Sequence, residues 1–317
     1  MNKLKLLLIS KDFSQWIHTE RYYLQKELSH ITDLVVWHEQ GNIHHILNKI
    51  KFVPDFILIY LYGSRNCPSI TGLDTLDIPY GVYVEDVHSL KDFPNSVNEN
   101  NIKHIFNCYR DAFIKKYPQF TDKMIWFPHH VNLNLFKDLG NPKDIPMLMM
   151  GAVNKHYYPL RYRILRMLSE HQDFVYHRHP GYRNISDKEG KFVREKYVME
   201  INRAKIFFTC DSIFKYPVKK YYEVLACKTL LLAPDSKELY DLGFRDGENF
   251  VAINKHDFLE KAEYYLRNEQ ERERIANNGY NLVREKHSTQ IRAKGLITII
   301  EKVLNKPSND SRKSSNE

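Results

Sequence analysis

The chain has 317 residues and a mass of 37.8 kDa, which exceeds one ordinary domain of roughly 100 to 200 residues and fits two. Its 43% hydrophobic, 13% aromatic and 27% charged residues are typical of a folded globular protein, and no apolar run approaches the roughly 18 residues of a membrane-spanning helix. Disorder, collagen and an integral membrane protein are therefore excluded. The formal charge of +8 favours anionic partners such as nucleotides, nucleic acids, phosphorylated substrates or an acidic membrane surface.

Along the first 136 residues, short apolar runs alternate with segments whose apolar residues recur at helical spacing. The run Leu-Leu-Leu-Ile at 6–9 is too short for the apolar region of a signal peptide, and we predict a buried strand there. The predicted strands are 4–9, 34–37, 55–61, 80–84, 102–107 and 123–127, and the predicted helices are 16–29 and 43–50. Strands that alternate with helices indicate a parallel, doubly wound, Rossmann-like sheet.

A second series of alternating strands and helices follows a polar stretch that contains glycine and proline. Its predicted strands are 147–152, 174–177, 206–210 and 229–233, and its predicted helices are 159–168, 192–204, 218–227, 256–267, 270–286 and 288–304. We therefore divide the α/β chain into a first Rossmann-like domain (1–136), a linker (137–145), a second Rossmann-like domain (146–287), a C-terminal helix (288–305) and a disordered tail (306–317). Two such domains in tandem predict a ligand site in the cleft between them.

Several signature motifs are missing from the sequence. It contains no GxGxxG, GK[ST], HExxH or GxSxG, so a dinucleotide-dependent dehydrogenase, a P-loop ATPase, a zinc protease and an α/β-hydrolase lose support. No DxD pair is present to hold a metal ion against a sugar diphosphate. We accordingly expect no metal and no cofactor.

The four cysteines, at 67, 108, 210 and 227, have no CxxC spacing. This pattern indicates neither a zinc site nor a disulfide framework, and it favours a reducing cytoplasm. The basic residues are spread along the chain and no RNA- or DNA-binding motif is visible, so we expect no nucleic acid partner.

The segment 216–246, YPVKKYYEVLACKTLLLAPDSKELYDLGFRD, is the most informative part of the chain. It places a glutamate on a helix before a Leu-Ala-Cys turn, and then come a strand, a Pro-Asp loop, Gly-Glu-Asn-Phe-Val and a late helix that ends in Glu-Lys-His-Ser. This order resembles the C-terminal domain of GT-B glycosyltransferases of group 1 (family 4-like), particularly the branch of the spore maturation protein CgeB.

The resemblance implies a metal-independent glycosyltransferase with two Rossmann-like domains facing across a cleft. The second domain would hold a nucleotide-diphosphate sugar, UDP- or GDP-linked, and the first would hold a saccharide, protein or cell-envelope acceptor. Retention of the anomeric configuration is implied by the resemblance alone. A cytoplasmic protein that contacts an anionic membrane or a spore layer peripherally would fit the family and the charge.

Glu223 lies at the start of a predicted helix, where its carboxylate can accept two hydrogen bonds from a ribose. The resemblance assigns the equivalent glutamate this role. The alternative is a surface glutamate paired with Lys219 or Lys220. Both lysines can also neutralise a diphosphate, although one of them can equally be only solvated.

The family pattern E-x7-E has a second glutamate eight residues before the ribose glutamate, and here that position is Lys215. This departure removes a residue that contacts the donor sugar in the family. An alternative function therefore stays open: a catalytically silent nucleotide-sugar-binding or spore-coat-like structural protein.

Two further loops of the second domain carry candidate donor ligands. Gly151 ends a strand that leads into a helix, where free backbone N–H groups, Lys155 and Arg161 can bind a phosphate, although Arg161 can also be a solvated helix residue. The cluster at 177–182 contains His179 and Tyr182, which the resemblance places near the nucleotide base. A structural Pro-Gly turn and a histidine metal site are the alternatives.

In the first domain, Asp86 and His88 follow a predicted strand, and a carboxylate two residues from an imidazole can orient it and raise its basicity. We assign them catalytic roles, against the alternative of a helix-capping Asp with an exposed His. His18 follows the first strand and is a candidate for the acceptor side. The segment 126–136 resembles the P-x-G-V-D-x3-F motif of the family, and we expect its role to be mainly structural.

Overall fold

The computed structural model describes residues 3–305, which form two large parallel β-sheets covered by helices and one small parallel sheet of two strands. The strands are β1 (Lys5–Ile9), β2 (Asp33–Trp37), β3 (Gly41–Asn42), β4 (Phe56–Tyr60), β5 (Ile70–Thr71), β6 (Tyr80–Val84), β7 (Ile105–Asn107), β8 (Met124–Trp126), β9 (Ile145–Gly151), β10 (Phe174–Arg178), β11 (Ala204–Phe208), β12 (Leu230–Ala233) and β13 (Val251–Ala252). The helices are α1 (Glu20–Ile31), α2 (Ile43–Ile50), α3 (Phe93–Glu99), α4 (Arg110–Lys116), α5 (Pro159–Leu168), α6 (Arg194–Arg203), α7 (Lys220–Ala226), α8 (Lys237–Asp241), α9 (Phe258–Arg267), α10 (Glu269–Lys286) and α11 (Thr289–Leu304).

The first sheet has the strand order β2-β1-β4-β6-β7-β8, and the second has the order β10-β9-β11-β12-β13. All registered pairs in both sheets are parallel. The central strands β4 and β6 are buried along their whole length, which is why they are nearly continuous apolar runs. The predicted fold class of two doubly wound domains facing across a cleft is confirmed. We call the layers built on the two sheets the first and the second domain.

Residues 127–144 connect the sheets, and the predicted linker lies in this connection except for its last residue, 145, where β9 begins. The helix α11 returns from the second domain and packs on α1, where Leu296 and Ile300 join the core of the first domain. The division of the chain into domains at 136 and 146 remains a prediction.

Polar contacts also join the two domains. The carboxylate of Glu238 on α8 accepts hydrogen bonds from the backbone N–H of Arg110 (2.7 Å) and from the indole N–H of Trp126 (3.1 Å). On the other side of the cleft, Trp16 forms an isolated antiparallel bridge with Asn184. These contacts hold the facing edges of the two sheets at a fixed separation.

Most predicted elements occur within a few residues of their expected bounds, but the first helix begins at Glu20 and not at residue 16. Trp16 instead forms the bridge to Asn184, and the backbone N–H of Ile17 donates to the carbonyl of Arg183 (3.2 Å). The sequence analysis missed α3, α4 and α8 because helices of five to seven residues have no measurable period. The predicted disordered tail lies outside the described residues.

No helix within residues 3–305 combines the length and the apolar character needed to cross a membrane.

The helix α10 packs closely on α7 at Gly279. A Cβ atom at this position would lie 2.5 Å from the backbone oxygen of Asn249 and 2.7 Å from Cδ2 of Leu225. Because the first of these atoms belongs to the backbone, it cannot move aside as a flexible side chain would. This close approach fixes α7, and α7 carries the residues that face the cleft.

We expect Gly279→Ala to lower the free energy of unfolding by roughly 1 to 3 kcal/mol, the usual cost of overpacking. The matched control is Gly295→Ala on α11, where a Cβ atom has no neighbour within 4 Å. The control should stabilise the protein by roughly 0.5 to 1 kcal/mol, because alanine loses less backbone entropy than glycine in a helix. Chemical denaturation measures both, and equal effects of the two substitutions would contradict the packing argument.

Candidate functional site

The cleft contains two connected cavities, with volumes of about 770 Å³ and about 1620 Å³ when the space open to solvent is included. Both cavities are lined by the same four residues, His18, His179, Lys220 and Glu223. All four were predicted site residues. The structure therefore brings these candidates from both domains to the junction of the two cavities.

The smaller cavity lies against the second domain. Its walls combine apolar side chains such as Phe136, Met150 and Phe192 with a few polar groups, among them Tyr197 and Glu223. A mostly apolar concave site with few convergent polar groups is typical of small-molecule binding. This cavity can hold a flat ring on its apolar walls while the polar groups bind hydroxyls.

Glu223 lies on α7 at this junction, and its Oε2 atom accepts a hydrogen bond from the hydroxyl of Tyr197 (3.1 Å). Burial raises the pKa of the Glu223 carboxyl. Among the described residues, neither Lys219 nor Lys220 forms an ion pair with it. The surface ion pair that the sequence left open is therefore absent, and the carboxylate has free capacity to accept hydrogen bonds.

Gly151, Arg161 and Lys220 meet at the end of β9. The backbone of Gly151 has φ +137°, and a Cβ atom there would lie 3.4 Å from both Nη1 of Arg161 and Cε of Lys220. The guanidinium of Arg161 is buried and donates to the carbonyls of Ala152 and Cys210, both at 3.0 Å. Arg161 is thus not a solvated helix residue.

Burial and the neighbouring Arg161 lower the pKa of Lys220 to about 8. Two cations that lie close together in a buried position create a strong preference for an anion between them. The absence of a side chain at Gly151 leaves room for that anion. The arrangement can bind a phosphate or a diphosphate.

Lys155, predicted to join this group, is exposed on the loop after β9 and lines neither cavity. The cause is local, since the side chain of Asn154 accepts hydrogen bonds from the backbone N–H groups of His156 (2.8 Å) and Tyr157 (3.0 Å). This turn directs the loop away from Gly151. The prediction for Lys155 was wrong in its placement.

Lys219 also differs from its predicted role. Its Nζ atom lies 2.6 Å from Oε2 of Glu20 and 3.2 Å from Oε1 of Glu85, both in the first domain. Glu85 pairs in addition with Arg21. Lys219 is therefore ion-paired across the cleft with two carboxylates and is not merely solvated, while Lys220 is the lysine that lies at Gly151.

Oxygen and nitrogen atoms of Glu20, Glu85 and His129 lie within 4.8 Å of one another and are chemically able to hold a metal ion. The ammonium group of Lys219 already contacts both carboxylates. Because Lys219 and Arg21 together balance the charge of the two carboxylates, the donor set fits these cations better than a metal ion.

His129 belongs to the segment 126–136, and its Nδ1 atom contacts Glu20 at 3.1 Å while its Nε2 atom contacts the Tyr109 hydroxyl at 3.0 Å. The neighbouring His130 bonds Thr289 (2.9 Å). Both histidines are buried, so this segment packs the two domains together, in line with the expected structural role.

Asp86 follows β6 and lines the larger cavity. Burial among the cleft walls, together with the adjacent Glu85, raises the pKa of Asp86 to about 6. No hydrogen bond joins the side chain of Asp86 to another of the described residues 3–305. Its carboxylate is therefore available to a ligand in the cavity.

His88 also lines the larger cavity but does not pair with Asp86 as expected. Its Nδ1 atom and the hydroxyl of Tyr216 form a hydrogen bond of 3.0 Å, and its ring stacks on Phe214 with 4.1 Å between centroids. Burial lowers the pKa of His88. The imidazole is held by a loop of the second domain that covers the strand end, which the sequence analysis did not foresee.

His18, His179 and Tyr182 form an aromatic cluster, with centroid distances of 5.6 Å from His18 to Tyr182 and 4.5 Å from His179 to Tyr182. Burial, Lys220 and Arg161 lower the pKa of His179 to about 4, and burial likewise lowers the pKa of His18 well below its ordinary value. The two imidazoles are thus neutral and offer ring faces and nitrogen atoms between the cavities.

The metal alternative for the histidine cluster receives no geometric support. His177 pairs with Glu200 at 2.6 Å, while Nδ1 of His179 accepts from the backbone N–H of Gly181 at 3.0 Å. The two imidazoles therefore have separate partners.

Lys215, the departure from the family pattern, lies outside both cavities. Its side chain is 72% exposed and its Nζ atom lies 3.2 Å from Oδ2 of Asp211. No acidic side chain takes its place from the same loop, since the lining residues there are Ser212, Phe214, Tyr216 and Val218.

Sequence reasoning missed Glu20, Glu85 and Tyr197, all of which contact predicted site residues. Glu85 had a visible signal because it precedes Asp86 at a strand end. Glu20 and Tyr197 had none, since one opens an ordinary helix and the other lies within one.

Comparisons with known proteins match one part of the chain in sequence and nearly all of it in structure. Residues 161–298, less than half of the chain, match the family described as "Glycosyl transferase-like". A search of curated proteins finds no match to this sequence.

Three solved structures are similar over nearly the whole chain. Sucrose-phosphate synthase from Thermosynechococcus elongatus has a TM-score of 0.66 and 11% identity, and the match covers 95% of this chain and 99% of that chain. A glycosyltransferase from Rickettsia africae ESF-5 has a TM-score of 0.61 and 12% identity, with coverages of 97% and 100%. Anabaena Alr3699/HepE in complex with UDP and glucose has a TM-score of 0.61 and 10% identity, with coverages of 94% and 99%.

At identities this low, the structural likeness shows the fold alone. The family match adds a likeness in sequence, which covers residues 161–298. The narrower assignment to the CgeB-like branch stays a prediction. Residues 161–298 thus match a glycosyl transferase-like family, and the fold of the whole chain is the GT-B fold of these solved structures.

Proposed function

We propose that the protein transfers a sugar from a nucleotide-diphosphate sugar to an acceptor without the help of a metal ion. The observation that carries this proposal is the convergence of Arg161 and Lys220 at Gly151, next to the free carboxylate of Glu223. Two cations suit a diphosphate and the carboxylate suits a ribose, and both lie where the two cavities meet.

The donor then spans both cavities. Its nucleoside occupies the smaller cavity, with the ribose hydroxyls on Glu223 and the base near the loop of His179, and its sugar enters the larger cavity beside Asp86. The similar HepE structures contain UDP and glucose or UDP-glucose, which supports UDP as the first nucleotide to test. GDP is the second nucleotide to test.

In the transfer step, the bond between the anomeric carbon and the diphosphate oxygen breaks as an acceptor hydroxyl forms its new bond to that carbon. Arg161 and Lys220 stabilise the charge that develops on the departing diphosphate. Asp86 orients the acceptor hydroxyl and accepts its proton. The closed cleft excludes water and so suppresses hydrolysis of the donor. We keep retention as a proposal, on the family resemblance alone, and it requires the acceptor hydroxyl to attack on the same face from which the diphosphate departs.

We also propose a cytoplasmic protein with a peripheral contact to an anionic membrane or a spore layer. The four cysteines are free, which suits a reducing compartment, and the net charge of +8 suits an anionic surface.

The alternative is a nucleotide-sugar-binding protein without activity. Its support is Lys215, which is turned to solvent where the family has a glutamate. This alternative shares the nucleotide site and differs only in turnover. Slow hydrolysis of a radiolabelled UDP- or GDP-sugar by the wild type, absent in an Asp86→Asn variant, distinguishes the enzyme from the silent binder.

Calorimetry tests the nucleotide site. We expect UDP or GDP to bind equally well with EDTA and with Mg²⁺, because Arg161 and Lys220 supply the positive charge. Glu223→Ala should weaken binding by roughly 1 to 3 kcal/mol through the loss of charge-assisted hydrogen bonds. Affinity that disappears in EDTA, or that is unchanged in Glu223→Ala, would contradict the site.

The adjacent lysines provide a matched pair. Lys219→Met should lower the free energy of unfolding by about 3 to 5 kcal/mol, because the buried carboxylates of Glu20 and Glu85 lose the cation that they share. Lys220→Met should instead weaken UDP or GDP binding by roughly 1.5 to 3 kcal/mol and leave stability nearly unchanged or improved. Denaturation and calorimetry on both variants separate the roles, and a reversed pattern would refute them.

The pH profile tests Asp86. A base must be ionised, so kcat/KM for transfer should rise with pH and level off above the pKa of about 6. Asp86→Asn should lower the rate of transfer by roughly 10² or more and remove this rise with pH, while nucleotide affinity stays within about threefold of the wild-type value. If Asp86→Asn kept the same rise of kcat/KM with pH, the titrating group would be another residue.

A further inference from the structure

Aromatic side chains dominate the wall of the larger cavity beyond Asp86. Those that line it are Trp16, Tyr62, Tyr109, Tyr157, Tyr158, Tyr182, Phe214 and Tyr216. Tyr157 and Tyr182 are 45% and 62% exposed, so large parts of their rings lie bare in the cavity mouth. Aromatic rings that converge on one cavity from both domains, two of them exposed, mark a binding surface.

The positively charged side chains that line the same cavity either form ion pairs already or lie at Gly151, on the side proposed for the donor. Arg21 and Lys219 are paired with Glu20 and Glu85, and Arg161 and Lys220 surround Gly151. The lining residues contributed by the first domain at 61–66 and 89–90 are all uncharged: Leu61, Tyr62, Ser64, Asn66, Ser89 and Leu90. Lys155 and Arg65 are exposed nearby but line no part of this cavity.

The combination of aromatic rings and uncharged polar side chains favours one class of acceptor. A phosphorylated or carboxylated group requires unpaired cations, and the acceptor end of the cavity offers none among its described lining residues. An uncharged sugar presents an apolar C–H face to an aromatic ring and hydroxyls to the hydroxyl and amide groups at its edge. Ser64, Asn66 and Ser89 supply such groups.

We propose that the acceptor is the uncharged end of a saccharide, stacked on the Tyr157 side of the larger cavity with its reactive hydroxyl directed to Asp86. The inference rests on the proposed function, because it requires the donor sugar to enter the same cavity. It narrows the acceptor class, which the family resemblance leaves open among saccharide, protein and cell-envelope acceptors.

Saturation-transfer NMR on the full-length protein with UDP bound tests this inference. The neutral probes are the methyl glycosides of glucose, galactose, mannose and N-acetylglucosamine, and the charged probes are glucose 6-phosphate and glucuronic acid. A serine- and threonine-rich peptide represents protein acceptors. UDP binding, measured by calorimetry in the same samples, tests the donor site separately.

The variant Tyr157→Ala removes one exposed ring, and the matched control Tyr264→Ala removes a tyrosine of 48% exposure that lines neither cavity. The backbone carbonyl of Tyr157, which accepts from the N–H of Ile213, remains in the variant. Both variants are therefore expected to fold, and circular dichroism checks this.

We expect saturation of the ring C–H protons of at least one neutral glycoside, about two- to tenfold weaker binding in Tyr157→Ala, and no change in Tyr264→Ala. Three results would overturn the inference while UDP still binds: stronger binding of the phosphorylated or carboxylated sugars, binding of the peptide alone, or no saturation of any neutral glycoside. An equal effect of the two tyrosine variants would also overturn it. Failure of UDP to bind would instead refute the proposed function.

Discussion

The ammonium group of Lys219 lies between the carboxylates of Glu20 and Glu85, and all three side chains are largely buried. Charges withdrawn from water are tolerated only when they are closely paired, so the cleft cannot open at this point without exposing or separating them. Since Lys219 directly precedes α7, the ion pairs also fix the start of this helix against the first domain. The geometry of the site depends on that attachment.

Neighbouring positions of one helix turn then serve different purposes. Lys219 faces the first domain, Lys220 faces Gly151 and Arg161, and Glu223, about one turn later, faces the junction of the cavities. Successive residues of a helix point about 100° apart, which allows this separation over five positions. Behind α7, the close packing of Gly279 on Leu225 keeps the helix from shifting. A structural ion pair and a ligand site therefore share a single rigid element.

The alternation of apolar strands and amphipathic helices was sufficient to predict the fold class and the cleft, because each element must bury one face against a parallel sheet. Gly151, Arg161 and Glu223 were found in the cleft because they lie at strand ends and at a helix start, where local position dictates orientation. Lys155 does not reach the cleft because the side chain of Asn154 turns its loop outward. The partners of His88 were not foreseen because Phe214 and Tyr216 come from the other domain. Glu20 and Tyr197 contact the site only through tertiary packing, which no local pattern encodes.

A structure of the protein with bound UDP, soaked in the presence of Mg²⁺, tests the central claim most directly. We predict that the diphosphate oxygens lie within hydrogen-bond distance of Arg161 and Lys220 beside Gly151, that the ribose hydroxyls bond Glu223, and that Lys219 keeps its contacts with Glu20 and Glu85. A diphosphate bridged by Mg²⁺ to Glu20 and Glu85, with Lys219 displaced, would contradict the account.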